Sequence, residues 1–418
     1  MENLNPKCVF KNFKALTQIP RPSGHLEKVQ QFLLDFGKKC GVETFVDPAG
    51  NIVMRKPATP GMENRQGVIL QAHMDMVPQK ESSSNHNFET DPIEARICDD
   101  GWIRANKTTL GSDDGIGVAA IMAVMEATDL KHGPVEGLMT VDEETGLYGA
   151  NNLPAGQMQG NILLNLDTED WGELIIGSAG GMDVNATLDY KEEDVETTSA
   201  ELTAAKITLK GLLGGHSGIQ IPLGRGNANK LMVRILREAI SDDDARLVSW
   251  HGGNMRNAIP REATVVVTLP KDNMADLKDL CNTYAETFNE EYKYIETEEI
   301  KVIVEEVELP QTQTQKDIQD NIVDAIYAAH DGVWRYIPSI PDKVETSSNL
   351  SIVDIEGGKA SIALLARSSS DTKKDELCTS LESCFSMAGM KVEQTGGYGG
   401  WNPNPDSPVL KAMVEQYK

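Results

Sequence analysis

The segment VILQAHMDMVPQK places His73 and Asp75 two residues apart, just beyond an apolar run from Val68 to Ala72. Residues two apart on an extended chain point to the same side, so an imidazole and a carboxylate can reach one cleft together. TTLGSDDGIGVAAIM sets Asp113 and Asp114 between a glycine-rich turn and a helix-like stretch. Free N–H groups and the helix dipole hold a carboxylate there as an anion, the state a metal ligand requires; the same position also suits a plain helix cap. LMTVDEETGLYGA runs an apolar segment into Asp142, Glu143 and Glu144. Adjacent carboxylates repel one another unless a cation or a proton is shared. One glutamate binding metal while its neighbour accepts a proton is the functional reading, and an exposed acidic turn is the other. NILLNLDTED delivers Asp167 at the end of a further apolar run. Carboxylates with one imidazole suit zinc, with Co2+ or Mn2+ as substitutes. The paired glutamates favour a two-metal hydrolytic centre over a single-metal or calcium structural site.

These residues need strands to deliver them. Short apolar segments at Val68–Ala72, Val135–Val141, Asn161–Leu166 and Leu174–Ile176 read as strands, and Ile116–Ala127 as a helix between them. Leu26, Val29, Leu33, Phe36 and Cys40 recur at helical steps, and Val42–Val46 with Asn51–Met54 forms a hairpin-like pair around Pro48–Gly50. Strands alternating with helices predict a mixed α/β sheet, whose carboxyl strand ends are where ligands collect. The polar stretch KEEDVETTSAE marks a boundary, giving a first domain over 1–192. An α+β domain over 193–394 follows as two cycles. The first has strand Lys206–Lys210, helix Ala228–Ile240, strand Ala263–Leu269 and helix Met274–Asn289. The second has strand Lys301–Val307, helix Ile318–Ala329, strand Ala360–Ala366 and helix Lys374–Met387. The cycles have the form of duplicated halves, without visible sequence identity. Residues 395–418 begin a return to the first domain through GGYGGWNPNPDSP and a final helical segment that stops without a cap, as a truncated chain would.

Among 418 residues, 39 lysines and arginines face 64 aspartates and glutamates, a net charge of −25. Such a surface repels polyphosphate, which argues against nucleic acid and anionic membranes as partners. No segment approaches the roughly 20 apolar residues that span a bilayer, and MENLNPKCVF lacks the pattern of a secretory signal. Six scattered cysteines without a C-x-x-C pair read as reduced thiols in a cytoplasmic protein.

RKPATPGMENRQGVILQAHMDMVPQK, TTLGSDDGIGVAA, HGPVEGLMTVDEETGLYGA, LNLDTEDWGELIIGSAGG, GLLGGHSG and GGYGGWNPNPDSP together resemble the aminoacyl-histidine dipeptidases (Xaa-His dipeptidases of peptidase D type), a branch of the co-catalytic di-zinc metallopeptidases. The resemblance covers nearly the whole chain. It implies an α/β fold, a mixed-sheet di-zinc exopeptidase catalytic domain with an inserted α+β lid domain that closes over the metals. It implies two Zn2+ ions, with His73 and Asp167 on the first, Glu144 on the second and Asp113 bridging both. Glu143 would be the general base, and Asp75 would orient that glutamate or support His73. His216 would stabilise the oxyanion, while Asn257 and Arg367 would hold the substrate's backbone and terminal carboxylate; a turn role for Asn257 and a surface-strand role for Arg367 stay open.

The implied reaction is hydrolysis of a small peptide substrate, a dipeptide with a free amino terminus, by a water that the metals activate, with Xaa-His including β-alanyl-histidine preferred. A homodimer through the lid domain is expected. Broader-specificity dipeptidases, tripeptidases and acyl-amino-acid deacylases share the metal motifs, and a non-catalytic peptide-binding relative would keep the fold. One departure is that related chains continue past this carboxyl end and carry there a histidine ligand for the second zinc. The C-terminal part of the catalytic domain is therefore expected to be missing, and His330 is not a substitute. A smaller departure is GSDDG, where serine stands in place of the alanine common in relatives.

Overall fold

The structure, a computed structural model, describes residues 1, 4–168, 170–195 and 201–417; residues 196–200 of the polar stretch expected to separate the domains lie outside this set. Contacts group the chain into two units, Met1–Glu173 with Glu415–Lys418, and Leu174–Val414.

The first unit is built on a five-stranded sheet in the order Glu43–Val46, Ile52–Lys56, Val135–Thr140, Val68–His73, Ile162–Asn165. The first two form the expected hairpin, its turn fixed by Asp47, whose Oδ1 accepts from the N–H groups of Ala49 and Asn51 at 2.9 Å each. Helix Glu27–Cys40 buries Val29 and Leu33 and ends at Gly41, which takes the left-handed conformation (φ 71°). Central strand Val68–His73 runs parallel to both neighbours, so three carboxyl ends meet at one edge. Register does the rest. Gln71 pairs with Asn165 and His73 with Thr140. Asp167 therefore lies level with His73, and Asp142–Glu144 lie just beyond it. Helix Ser112–Glu126 packs its Val118, Ile121 and Met122 into one core with Ala72, Met74 and Met139 beneath this edge.

The second unit contains a nine-stranded sheet in which eight strands form a continuous path. From one edge they run Lys301–Val307, Leu202–Lys210, Ala263–Pro270, Arg246–Gly252, Val344–Glu356, Lys359–Ser368, Gly180–Asp189, Lys391–Tyr398. The first four and the last four are one arrangement written twice, back to back. Each half follows the chain pattern strand, helix, strand, strand, helix, strand. Helices Ala228–Asp242 and Met274–Glu291 serve one half; Lys316–Ala328 and Asp371–Met387 serve the other. The halves join where Trp250, His251 and Gly252 pair antiparallel with Ile355, Asp354 and Val353. A single core includes Leu231, Ile235, Leu277, Ile322, Ile326, Leu377 and Phe385.

The duplication is thus real but divided differently from the expected cycles. Lys301–Val307 closes the first half, and the second half opens with Gly180–Asp189, so one half is inserted within the other.

Three other expectations change. The expected strand at Leu174–Ile176 is irregular chain with Ile175 exposed, and the regular strand starts at Gly180. The boundary expected at 192/193 falls between Glu173 and Leu174, because Gly180–Asp189 hydrogen-bonds to Lys359–Ser368 and Lys391–Tyr398. The return to the first unit, expected from 395, comes at Glu415, since Lys391–Tyr398 completes the second sheet. Among the described residues no helix is long and apolar enough to cross a membrane.

Candidate metal centre

His73 ends the central strand with its ring buried. Its Nε2 faces three carboxylates: Asp113 Oδ1 at 2.9 Å, Asp167 Oδ2 at 3.8 Å and Glu143 Oε2 at 4.0 Å. Its Nδ1 lies 3.3 Å from Asp75 Oδ1, an ion-pair separation without hydrogen-bond alignment. Two groups can each enclose a cation, His73 with Asp113 and Asp167, and His73 with Glu143 and Glu144. All five expected ligand and base residues of the first unit are therefore brought together. The grouping differs in one respect: Glu144 clusters with Glu143 and His73, and Asp113 is not a member of that second trio.

Asp75, wholly buried, contacts both of the groups of which it was expected to serve one. It stands beside His73, and its carboxylate accepts from the N–H groups of Glu143 (3.1 Å) and Glu144 (3.3 Å). Ser23 Oγ donates to the same carboxylate at 2.8 Å. Asp114, named with Asp113 at the helix start without a role of its own, is buried and accepts from the N–H groups of His73 (3.3 Å) and Gly117 (3.1 Å). It caps the helix and fixes the His73 backbone at once.

Six carboxylates, of Asp75, Asp113, Asp114, Glu143, Glu144 and Asp167, share this edge with the imidazole of His73 and the buried guanidinium of Arg21. The crowding shows in the acidities. Burial, then Asp167, pushes the Asp114 carboxyl up to about 7. Burial raises Glu143, with Asp167, Asp75 and Asp113 adding to it; burial and Asp113 raise Glu144. Burial would lower His73, but Asp75, Asp113 and Asp167 outweigh it and lift the imidazole to about 9 in the metal-free protein. An excess of hard oxygen donors converging on one borderline nitrogen is the chemistry that two zinc ions neutralise, and partial exposure of Asp113, Glu143 and Asp167 leaves the centre open to a ligand. The residues fit the metals.

A pH dependence follows. With its pKa raised from 6.5 to about 9, metal-free His73 binds its proton more tightly folded than unfolded, so its stabilisation is complete below pH 6.5 and lost as pH rises through 9. Asp114 contributes a slope of the same sign, lost between 3.8 and about 7. Melting of chelator-treated protein is expected to fall from pH 6.5 to 9, and saturating zinc, which displaces the His73 proton, is expected to flatten that fall. Parallel slopes with and without zinc would contradict it.

In the second unit, His216 lies on a two-residue strand, Gly215–His216, paired with Ala258–Ile259, and Ser217 N–H donates to the Asn257 carbonyl at 2.8 Å. Its Nδ1 accepts from the N–H groups of Gly218 (3.1 Å) and Ile219 (3.2 Å). A neutral ring so bonded carries its proton on Nε2. Burial, then Arg367, lowers its pKa. A methyl added at Gly218 would touch both His216 and Arg367, which places those two side chains side by side. Arg367 Nη1 donates to Tyr398 Oη at 3.1 Å. Asn257 is exposed on the neighbouring turn. His330 lies apart from these residues in its bonding, with Nδ1 2.7 Å from Ser348 Oγ.

Sequence reading passed over Arg21 and Ser23, and named Asp142 without giving it a role. A lone arginine between two prolines in IPRPSG was the available signal for the first.

Comparison with known proteins agrees with this geometry. Residues 207–296 match the M20 peptidase dimerisation domain family. The chain is 40% identical over all of its 418 residues to a cytosol non-specific dipeptidase of Escherichia coli (strain K12), spanning 85% of that protein. It superposes on the crystal structure of an aminoacylhistidine dipeptidase from Vibrio alginolyticus with a TM-score of 0.96 and 41% identity, covering 100% of this chain and 84% of that one. With a metal-ligand edge on a mixed sheet, an inserted dimerisation domain and identity of this extent along its whole length, the chain belongs to the aminoacylhistidine and cytosol dipeptidase family of M20 peptidases.

Proposed function

We propose that the protein is a metal-dependent peptidase that hydrolyses dipeptides, Xaa-His dipeptides such as β-alanyl-histidine among them. The observation that carries this reading is the convergence of His73 Nε2 with the carboxylates of Asp113, Asp167 and Glu143 within 4.0 Å. One relative is named for non-specific dipeptide cleavage and the other for aminoacylhistidine cleavage, which supports a broad dipeptide range that includes histidine at the carboxyl position.

His73, Asp113 and Asp167 would hold one ion and Glu144 the second; Asp113, which the geometry groups only with the first, would be shared between them. When bound, the ions supply Lewis acidity, making a water acidic enough to ionise near neutral pH and polarising the scissile carbonyl. Glu143 takes the water's proton and returns it to the leaving amine. Asp75 keeps Glu143 in place through its backbone N–H and shares the flank of His73. His216 donates its Nε2–H to the carbonyl oxygen as negative charge develops there. The guanidinium of Arg367 takes the substrate's terminal carboxylate, and Asn257 its backbone. In this reading 1–173 is the catalytic domain and the second unit the inserted lid through which two copies pair, as the dimerisation-domain match supports. Six free cysteines accord with a cytoplasmic location.

A panel of β-alanyl-histidine, Gly-His, Leu-Gly and an N-acetyl amino acid tests the reading. The three dipeptides are expected to be cleaved and the acetylated compound spared; a chelator should abolish turnover, and Zn2+, Co2+ or Mn2+ should restore it. Preference for the acetylated compound would make the protein a deacylase. Metal binding without turnover of any of the four would make it a peptide-binding relative.

A further inference from the structure

The segment Pro20–Gly24 has no part in the proposed chemistry, yet three of its groups reach the three chain segments that carry the metal-centre residues. Arg21 is buried, with only 3% of its surface exposed. Its Nη1 donates to the carbonyls of Met74 (3.0 Å) and Asp75 (2.8 Å), immediately after His73. Its Nη2 donates to the carbonyl of Gly111, two residues before Asp113. Ser23 Oγ holds the Asp75 carboxylate at 2.8 Å. Gly24 N–H donates to Asp142 Oδ1 at 2.6 Å, at the head of the Glu143–Glu144 turn. Pro22 and Met76 form a parallel bridge that keeps the segment alongside the strand end.

Two glycines make room for the guanidinium. A Cβ at Gly111 would fall 2.6 Å from Arg21 Nη2, and one at Gly115 would fall 2.4 Å from it. GSDDG therefore has glycine at its ends for a reason beyond its turn: both positions wall a slot for the arginine. All three hydrogen bonds described for this buried cation go to backbone carbonyls rather than to a carboxylate. Burying a charge in that manner is costly; burial draws the guanidinium pKa down to about 10, and the carboxylates of Asp75, Asp114, Asp113 and Glu144 offset part of that cost.

We propose that Arg21 is a positioning residue of the metal centre: its planar fork locks the His73–Asp75 strand end to the Gly111–Asp114 turn, setting the separation of His73 and Asp113 before any ion arrives. Lysine cannot replace it, because an ammonium lacks the fixed fork that spans three carbonyls on two segments. The inference rests on the reading of His73 and Asp113 as metal ligands. It adds that their geometry is set by a group touching neither metal nor substrate.

The experiment loads the full chain and its Arg21→Lys and Arg21→Met variants with Co2+ and Zn2+. It reads the visible absorption of the cobalt forms, zinc affinity by competition with a chromophoric chelator, and kcat and KM for Gly-His. Zinc affinity is expected to fall by about 10–100-fold in both variants, the range for residues that orient metal ligands. The cobalt bands should shift in position or intensity, and kcat should fall more than KM rises. Unchanged zinc affinity and cobalt bands, with only a lower melting temperature, would reduce Arg21 to a structural role and overturn the proposal.

Should neither arginine variant fold, Gly115→Ala reads the same device from the other side, by pressing a methyl into the guanidinium slot. It is expected to weaken zinc in the same direction, and wild-type affinity in that variant would overturn the proposal. Failure of the unaltered chain to bind Co2+ or Zn2+ would instead sink the metal-centre reading itself, so the two failures are distinguishable.

Discussion

Glu143→Gln is expected to lower dipeptide turnover by about 10²–10⁴-fold while the protein keeps its metal, the range in which a positioned general base contributes. The substitution preserves side-chain length and an oxygen donor but removes the ability to accept a proton. Glu143 is placed for the task by its surroundings. Its N–H is held by Asp75 Oδ1 at 3.1 Å, and its Oε2 lies 4.0 Å from His73 Nε2. Burial and the carboxylates of Asp167, Asp75 and Asp113 raise its pKa, bringing its basicity closer to that needed near neutral pH. Metal content by mass spectrometry, with Gly-His turnover on the same sample, decides the outcome. Turnover within a few-fold of the unaltered protein would remove Glu143 as the base. Loss of one equivalent of metal would recast it as a ligand, which its grouping with His73 and Glu144 makes a real alternative.

His216→Ala is expected to reduce kcat by about 10²–10³-fold with KM little changed, the cost of losing one oxyanion donor. The argument is a matter of tautomer. Two backbone N–H groups, of Gly218 and Ile219, occupy Nδ1, so the neutral ring presents a proton at Nε2. Burial and Arg367 depress its pKa and keep it neutral over the working range. Being lowered, that pKa gives His216 no further proton to lose above neutrality, so its donor strength should be constant from there upward. His216→Gln keeps an N–H donor at a similar reach and is expected to recover part of the loss. Equal defects in the alanine and glutamine variants, or a defect expressed wholly in KM, would count against the donor role.

Much of the metal centre was legible in the sequence because it depends on strand ends. An apolar run such as Val68–Ala72 or ILLNL marks a buried strand, and the acid or imidazole directly after it must lie at the sheet edge. His73, Glu143, Glu144 and Asp167 were identified in this way, Asp113 from the glycine-rich turn ahead of a helix, and the structure brings all five together. Arg21 was not legible. Its role consists of hydrogen bonds to carbonyls 53, 54 and 90 residues away, and carbonyls leave no mark on residue type. Asp114 was half legible, as a carboxylate at a helix start, because its bond to the His73 N–H spans 41 residues.

The second unit shows the same limit in its fold. Strand Val344–Glu356 escaped detection because five of its eight buried positions, Thr346, Ser347, Ser348, Asn349 and Ser351, are polar residues that ordinarily mark loops. Tertiary partners satisfy several of them. Thr346 meets Ser368 Oγ at 2.9 Å, Asn349 Nδ2 donates to the Ala258 carbonyl at 2.8 Å, and Ser351 Oγ donates to that of Arg256 at 2.6 Å. Without that strand the repeat could not be divided correctly. The family match ends at residue 296, so only the strand order reveals the second half.

Residue order alone was enough to show which acids and which imidazole gather at the sheet edge and which kind of sheet presents them, since hydrophobic runs and the acids that end them are local properties of the chain. Only the tertiary structure decided how those residues are grouped, which buried cation braces them and how one half of the second unit nests within the other. Register, backbone hydrogen bonding and strand adjacency join residues tens to hundreds of positions apart, and no local pattern of side chains encodes such partners.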